Sequence, residues 1–164
     1  MNDFSQLVED LTAAIETVPQ RVATEAVNFS KERFQEQAWK DEGKEAWKKR
    51  KTRRRGGAKR QKGAVLVDSG RLKRSVRIIS VSKDRVLIGT DVPYAEIHNE
   101  GFDGIQSVKA HTRRTRNGST RVSAHTRHMR MPRRRFIGES ATLNKRIELM
   151  ITAELVRALK KHSI

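Results

Sequence analysis

The stretch Val76-Arg77-Ile78-Ile79-Ser80-Val81-Ser82-Lys83-Asp84-Arg85-Val86-Leu87-Ile88-Gly89-Thr90 decides the fold class. An extended chain points successive side chains to opposite faces, so Val76, Ile78 and Ser80 share one face and Arg77, Ile79 and Val81 the other. Ser82-Lys83-Asp84 reads as a turn, and Arg85–Thr90 as a second strand in which Val86 and Ile88 alternate with Leu87. The two strands make an antiparallel pair. On either side of it the apolar spacing changes from strand to helix, which makes the class α+β.

Upstream, residues 1–38 read as a long helix. Phe4, Val8, Leu11, Ile15, Val18 and Val22 recur every three or four positions on one helical face. Ala26, Phe29 and Phe34 extend the seam less regularly. Asn2 or Asp3 can cap the start. Pro19 removes a backbone donor and predicts a kink or break. We assign the seam to packing on the domain's own sheet, with a subunit contact as the alternative.

Downstream, Asp68 or Ser69 can cap a helical turn ending near Ser75, and Pro93 stops the second strand. Tyr94–Asn99 has the length of a short helix closed by Gly101. Residues 138–162 form a C-terminal helix with Leu143, Ile147, Met150, Ile151, Leu155, Ala158 and Leu159 on one face. Glu139 or Ser140 starts it, and Lys160 and Lys161 suit its C-terminal end. The expected fold is one domain over 1–164: two helices packed on a small antiparallel sheet, with the sheet and short helices within 64–105.

Charge marks what lies outside that core. The 164 residues carry 36 Lys and Arg against 19 Asp and Glu, net +17. Two blocks hold the excess: residues 46–63 and 106–135 each contain 10 basic and no acidic side chains, while residues 1–45 are net −5. Unpaired charges in such number are too costly to bury. The first block, around Lys48-Lys49-Arg50-Lys51-Thr52-Arg53-Arg54-Arg55-Gly56-Gly57, follows Trp39 and Trp47, lacks any period and reads as a flexible loop over 46–63. The second contains Val108-Lys109-Ala110-His111-Thr112-Arg113 and Val122-Ser123-Ala124-His125-Thr126-Arg127 on either side of Asn117-Gly118, the strongest short-range hairpin signal. A long, basic, projecting β-hairpin over 107–128, within segment 106–130, is therefore expected. A register centred on Asn117-Gly118 sets His111 opposite Ala124.

Catalytic chemistry is sparse. His98 lies near Tyr94, Asp91, Glu96 and Glu100, but no nucleophile or oxyanion loop accompanies it, so a packed histidine is the expectation. His111, His125 and His128 sit among cations that oppose a bound metal. With no cysteine, thiolate zinc sites and disulfides are excluded. No phosphate loop, dinucleotide fingerprint, helix-turn-helix or RNP pattern occurs. No run of about 20 apolar residues suits a membrane span, and Met1-Asn2-Asp3 lacks the basic start of a signal peptide. We expect no catalytic residue, metal or cofactor.

Three segments together resemble a known family. They are Leu66-Val67-Asp68-Ser69-Gly70-Arg71-Leu72-Lys73-Arg74-Ser75-Val76; Val86-Leu87-Ile88-Gly89-Thr90-Asp91-Val92-Pro93-Tyr94-Ala95-Glu96-Ile97-His98-Asn99-Glu100-Gly101; and Met131-Pro132-Arg133-Arg134-Arg135-Phe136-Ile137-Gly138. In this order, over roughly residues 30–160, they resemble the tailed-phage virion morphogenesis family of tail-completion and head–tail joining proteins. The resemblance implies a structural protein of the neck or tail end, an α+β fold and a homo-oligomeric ring. The segments ending in Gly70 and Gly101 are expected to turn with positive φ. Leu72, Tyr94, Ile97 and Phe136 are expected as apolar anchors, with His98 bonded inside the same joint.

The function expected is therefore a non-enzymatic virion component that completes the tail and joins it to the head, assembled in the host cytoplasm. Its partners would be copies of itself, neighbouring neck, tail-tube or connector proteins, and DNA phosphates, with no membrane. Lys48, Lys49, Arg50, Lys51, Arg53, Arg54 and Arg55 in the loop, and Lys109, Arg113, Arg114, Arg116, Arg121, Arg127 and Arg130 in the hairpin, are the candidate contacts. The alternative is a free-standing, sequence-nonspecific nucleic-acid-binding protein acting through phosphate contacts.

Overall fold

The computed structural model describes residues 2–49, 63–116 and 118–162. Arg50, Lys51, Arg53, Arg54 and Arg55 of the basic loop lie outside the described residues, as do the side chains of Asn2 and Asp3 offered as caps. The chain is α+β, with helix α1 (Asn2–Glu36) and helix α4 (Ala141–Lys160) packed antiparallel. Between them come the strand pairs β1 (Ala38–Lys40) with β2 (Lys44–Ala46) and β3 (Arg77–Val81) with β4 (Val86–Gly89). The short helices α2 (Arg71–Ser75) and α3 (Ala95–Glu100) flank the second pair. A ribbon follows: β5 (Phe102–Val108) pairs with β8 (His125–Met131), and β6 (His111–Thr115) with β7 (Gly118–Val122). The sheet is thus a set of two-stranded pairs and not one sheet.

The centre is an aromatic joint between ends of the chain. Phe34, Trp47, Val65, Leu72, Val76, Val92, Ala95 and Phe136 form one buried cluster. Phe34 meets Trp47 edge-on at 5.5 Å and Phe136 at 5.0 Å. Burying each such ring stabilises the fold by about 2–3 kcal/mol. A second layer joins α1 to the chain before α4. Arg33, wholly buried, stacks 4.3 Å over the Phe29 ring and pairs with Glu32 at 3.1 Å and Glu36 at 3.2 Å. Phe29 meets Trp39 edge-on at 5.8 Å, and the Arg135 guanidinium covers the other ring of that pair at 4.7 Å. Arg146 of α4 reaches Glu25 and Glu32 across the helix pair, at 3.4 and 3.0 Å.

Several expectations need correction. The helix passes through Pro19 without a break. Packing against α4 on both sides of the proline, from Asp10 with His162 to Glu32 with Arg146, outweighs one lost backbone bond. The regular seam is not a core seam along its length: Leu11, Val18 and Val22 are half-buried, but Phe4, Val8 and Ile15 are exposed. One helix covers only one side of α1, and the β3–β4 turn reaches no further than the groove beside Thr12–Gln20.

In the deciding strand pair, Arg77 pairs with Gly89 and Ile78 with Ile88, but Ser80 pairs with Leu87 and Val81 with Val86. The extra residue is a bulge at Ile79. It turns Val81 onto the same half-buried face as Ile78 and leaves Ile79 and Ser80 exposed, against the alternation expected. The β1–β2 hairpin around Gly43, read as part of a polar stretch, was not foreseen. Its three-residue strands carry too few apolar positions to show a period.

Candidate functional site

The ribbon and its root are where the charge expected to bind a partner gathers. Phe102 pairs with Met131, Val108 with His125, His111 with Val122 and Thr115 with Gly118, so a single register runs the whole length. The ribbon is longer than the expected 107–128. Thr115 faces Gly118, so the register is centred one residue before the expected Asn117-Gly118; Asn117 itself lies outside the described residues. His111 accordingly faces Val122, not Ala124. The register sets Asp103 beside Arg130, and Gly118 starts a strand, its carbonyl accepting from Thr115 Oγ1 at 2.8 Å. The pairing is interrupted symmetrically at Lys109-Ala110 and Ser123-Ala124. There the repeated Ala-His step returns each imidazole Nδ1 to within 2.9 and 3.0 Å of a carbonyl two residues earlier, Lys109 O and Ser123 O.

The root is held by a side chain that sequence reasoning quoted but gave no role. Asn99 Oδ1 accepts from the backbone N–H of Phe136 at 2.9 Å and of Ile137 at 3.0 Å, and its Nδ2 donates to Ile137 O at 3.0 Å. Arg134 N donates to His98 O at 2.8 Å. Gly101 has φ +80, and a Cβ there would stand 2.9 Å from Arg133 N, so the chain leaves α3 only because this residue has no side chain. Gly70 has φ +71 and caps α2, in place of the expected Asp68 or Ser69. Ser69 Oγ instead accepts from Arg71 N at 3.4 Å.

The expected motif residues come together around a cavity of about 410 Å³, lined by Gly70, Leu72, Tyr94 and His98 together with Met131 and Arg134. Leu72 and Phe136 are buried anchors. Tyr94 is 40 % exposed and is not one; its ring lies edge-on to His98 at 5.9 Å. Of the carboxylates near His98, Asp91 pairs with Arg77 at 3.3 Å and Glu100 with Arg133 at 3.7 Å. Among the described residues no three His, Asp or Glu side chains gather as metal ligands.

The candidate contact residues divide into two sets. Arg130 Nε and His128 Nε2 each sit 3.0 Å from Asp103, and Arg127 donates to Gln106 Oε1 from Nε at 3.0 Å and Nη2 at 2.7 Å. Lys48 gives its backbone to the root: its carbonyl accepts from Arg134 Nε and Nη2 at 3.1 and 2.9 Å. Lys48 and Lys49 side chains are exposed, as are Lys109, Arg113, Arg114, Arg116 and Arg121. Gln37, at φ +55, also escaped notice. It ends α1 and binds Val65 through both its backbone groups, at 2.5 and 3.1 Å.

No helix among the described residues is long and apolar enough to cross a membrane. No curated protein and no solved structure matches the chain. The aromatic joint draws on three separated segments, and a long arm is rooted beside it. The sequence profile that covers it runs over residues 2–156, from α1 through the arm into α4, and by that match the chain belongs to the phage virion morphogenesis family.

Proposed function

We propose that this protein is a non-enzymatic subunit of the virion neck or tail end, which completes the tail and joins it to the head as a homo-oligomeric ring. Membership of the family supports a role in virion assembly. One observation carries the ring: Phe4, Val8 and Ile15 of the most regular apolar seam are bare. Phe4 is 74 % exposed and Ile15 53 %, on a helix whose other half closes the core. Beside Ile15 runs a groove of about 750 Å³ whose apolar walls are Val18, Pro19, Val81, Ile151 and Leu155. Ile15 and Val18 belong to both the stripe and this groove, so the two form one uncovered apolar patch, which a neighbouring copy in a ring would cover. Such a subunit assembles in the host cytoplasm and ends in the particle.

Mass photometry of the purified chain tests this. One discrete multimer is expected, and the double substitution Phe4→Glu with Ile15→Glu should leave folded single subunits that keep the wild-type circular dichroism. A chain that stays a single subunit at micromolar concentration, alone and with purified tails, overturns the ring. Density for this chain at the head–tail junction of an imaged particle is the expected position; density elsewhere overturns the joining role.

A further inference from the structure

The arm changes character halfway along. In the half nearest the core, β5 and β8, the cations have partners within the ribbon: Asp103 takes Arg130 and His128, and Gln106 takes Arg127. Apolar side chains accompany them, with Phe102, Val108, Met129 and Met131 half-buried on one face and Ile105 73 % exposed on the other. In the outer half, β6 and β7, there is no carboxylate at all. Arg113, Arg114 and Arg121 make no ion pair with any described residue, and Val122 is the one large apolar side chain.

The pairing there is regular in chemistry. Arg113 lies opposite Thr120, Arg114 opposite Ser119, and Arg121 opposite Thr112. Each guanidinium therefore has a hydroxyl across the ribbon from it. Because side chains alternate between faces, Arg113 stands on one face and Arg114 and Arg121 on the other.

Protein partners are gripped by aromatic or aliphatic anchors, with charge at the rim. The outer half has one half-buried valine to offer. Guanidinium and hydroxyl donors are what phosphate oxygens accept from, and cations on two opposed faces suit a partner with two anionic walls. A DNA major groove, about 12 Å wide, admits a two-stranded ribbon between two phosphate backbones. We infer that the outer half of the arm, strands β6 and β7, enters a groove of duplex DNA and holds its two backbones without reading sequence. The ribbon is roughly 45 Å long from its root, at about 3.4 Å per residue. This deepens the neck reading by naming the arm's partner, yet it rests on the arm alone and stands whether or not a ring forms.

The test uses the full chain, a short mixed-sequence DNA duplex with a fluorescent end, and the single strand of the same sequence. Fluorescence anisotropy is followed from low to high salt, and mass photometry is run on the same samples. The wild type should bind the duplex more tightly than the single strand. The triple variant Arg113→Gln, Arg114→Gln, Arg121→Gln should flatten the slope of log affinity against log salt by about 2.7, at about 0.9 for each phosphate released, with the oligomer unchanged. An unchanged slope overturns the inference, and equal affinity for the single strand overturns the groove. Loss of the oligomer with the slope intact makes the arm a protein contact and overturns it too, leaving the ring in place. Duplex binding of the expected slope by a chain that forms no multimer rejects the ring and keeps the inference.

Discussion

The two halves of α1 make opposite use of the same helical period. The N-terminal half carries the cleaner apolar seam, and Phe4, Val8 and Ile15 of that seam are exposed. The C-terminal half looks poorer, yet Ala23, Ala26, Val27, Ser30, Arg33 and Phe34 fall on one face and are buried there. A regular apolar stripe therefore states that a face needs cover and not that the same chain provides it. A buried face, in turn, can be made from small and even charged residues when the facing groups are the right size and sign. Arg33 is inside because Phe29 lies under its guanidinium and Glu32 and Glu36 answer its charge.

The largest expected effect breaks the buried half. Phe29 is 1 % exposed and lies between Arg33, Arg146 and Trp39. Phe29→Ala removes the ring under two guanidiniums and should destabilise the protein by about 3–5 kcal/mol, read by urea unfolding. The matching change in the bare half, Phe4→Ala, should cost under about 0.5 kcal/mol in the separated subunit. If the two losses were equal, the contrast between the halves would be false.

Next in size is the root of the arm. Gly101→Ala forces a side chain into a left-handed position against the Arg133 backbone and should cost roughly 1–3 kcal/mol. The loss should show in the thermal melting temperature. Gly43→Ala, where a Cβ meets nothing within 4 Å, is the control and should change little.

What was legible in the sequence follows the same division. Elements whose own residues dictate them were readable: α4 with its Ser140 cap, accepting from Leu143 N at 3.1 Å, the β3–β4 pair, and the existence of the arm. Features set by a distant partner were not. The Ile79 bulge puts Ile78 and Val81 on one half-buried face, which no two-residue alternation expresses. The arm's register runs from Phe102 with Met131 to Thr115 with Gly118, so the Asn-Gly signal located the hairpin but misplaced its centre by one residue. Asn99 and Gln37 act by bonding backbone 37 and 28 positions away, and nothing in their neighbours announces it. Among the candidate contacts, charge counting names segments and not the state of each side chain. It had no means of separating Arg127, which Gln106 occupies, from Arg113, Arg114 and Arg121.

The smallest expected effect concerns how the bare half of α1 is kept against α4 at all. There the tether is ionic: Asp10 Oδ2 lies 3.0 Å from His162 Nε2 and 3.5 Å from Lys161 Nζ. The bond from His162 holds the Asp10 carboxyl below its usual range, with Lys161 adding to it and partial burial opposing. A carboxyl depressed on folding binds its proton more readily in the unfolded chain. Its contribution is therefore present above the ordinary aspartate range and is lost as pH falls through the lower folded value. Acidification should loosen the N-terminal half of α1 before the aromatic joint, seen as lower amide protection factors around Asp10, taken against the intrinsic rate at each pH, while the amides near Phe29 stay protected. Asp10→Asn removes the titrating group, so the exchange of the two halves should then change together with pH. If the wild-type halves already do so, the tether does not hold this end.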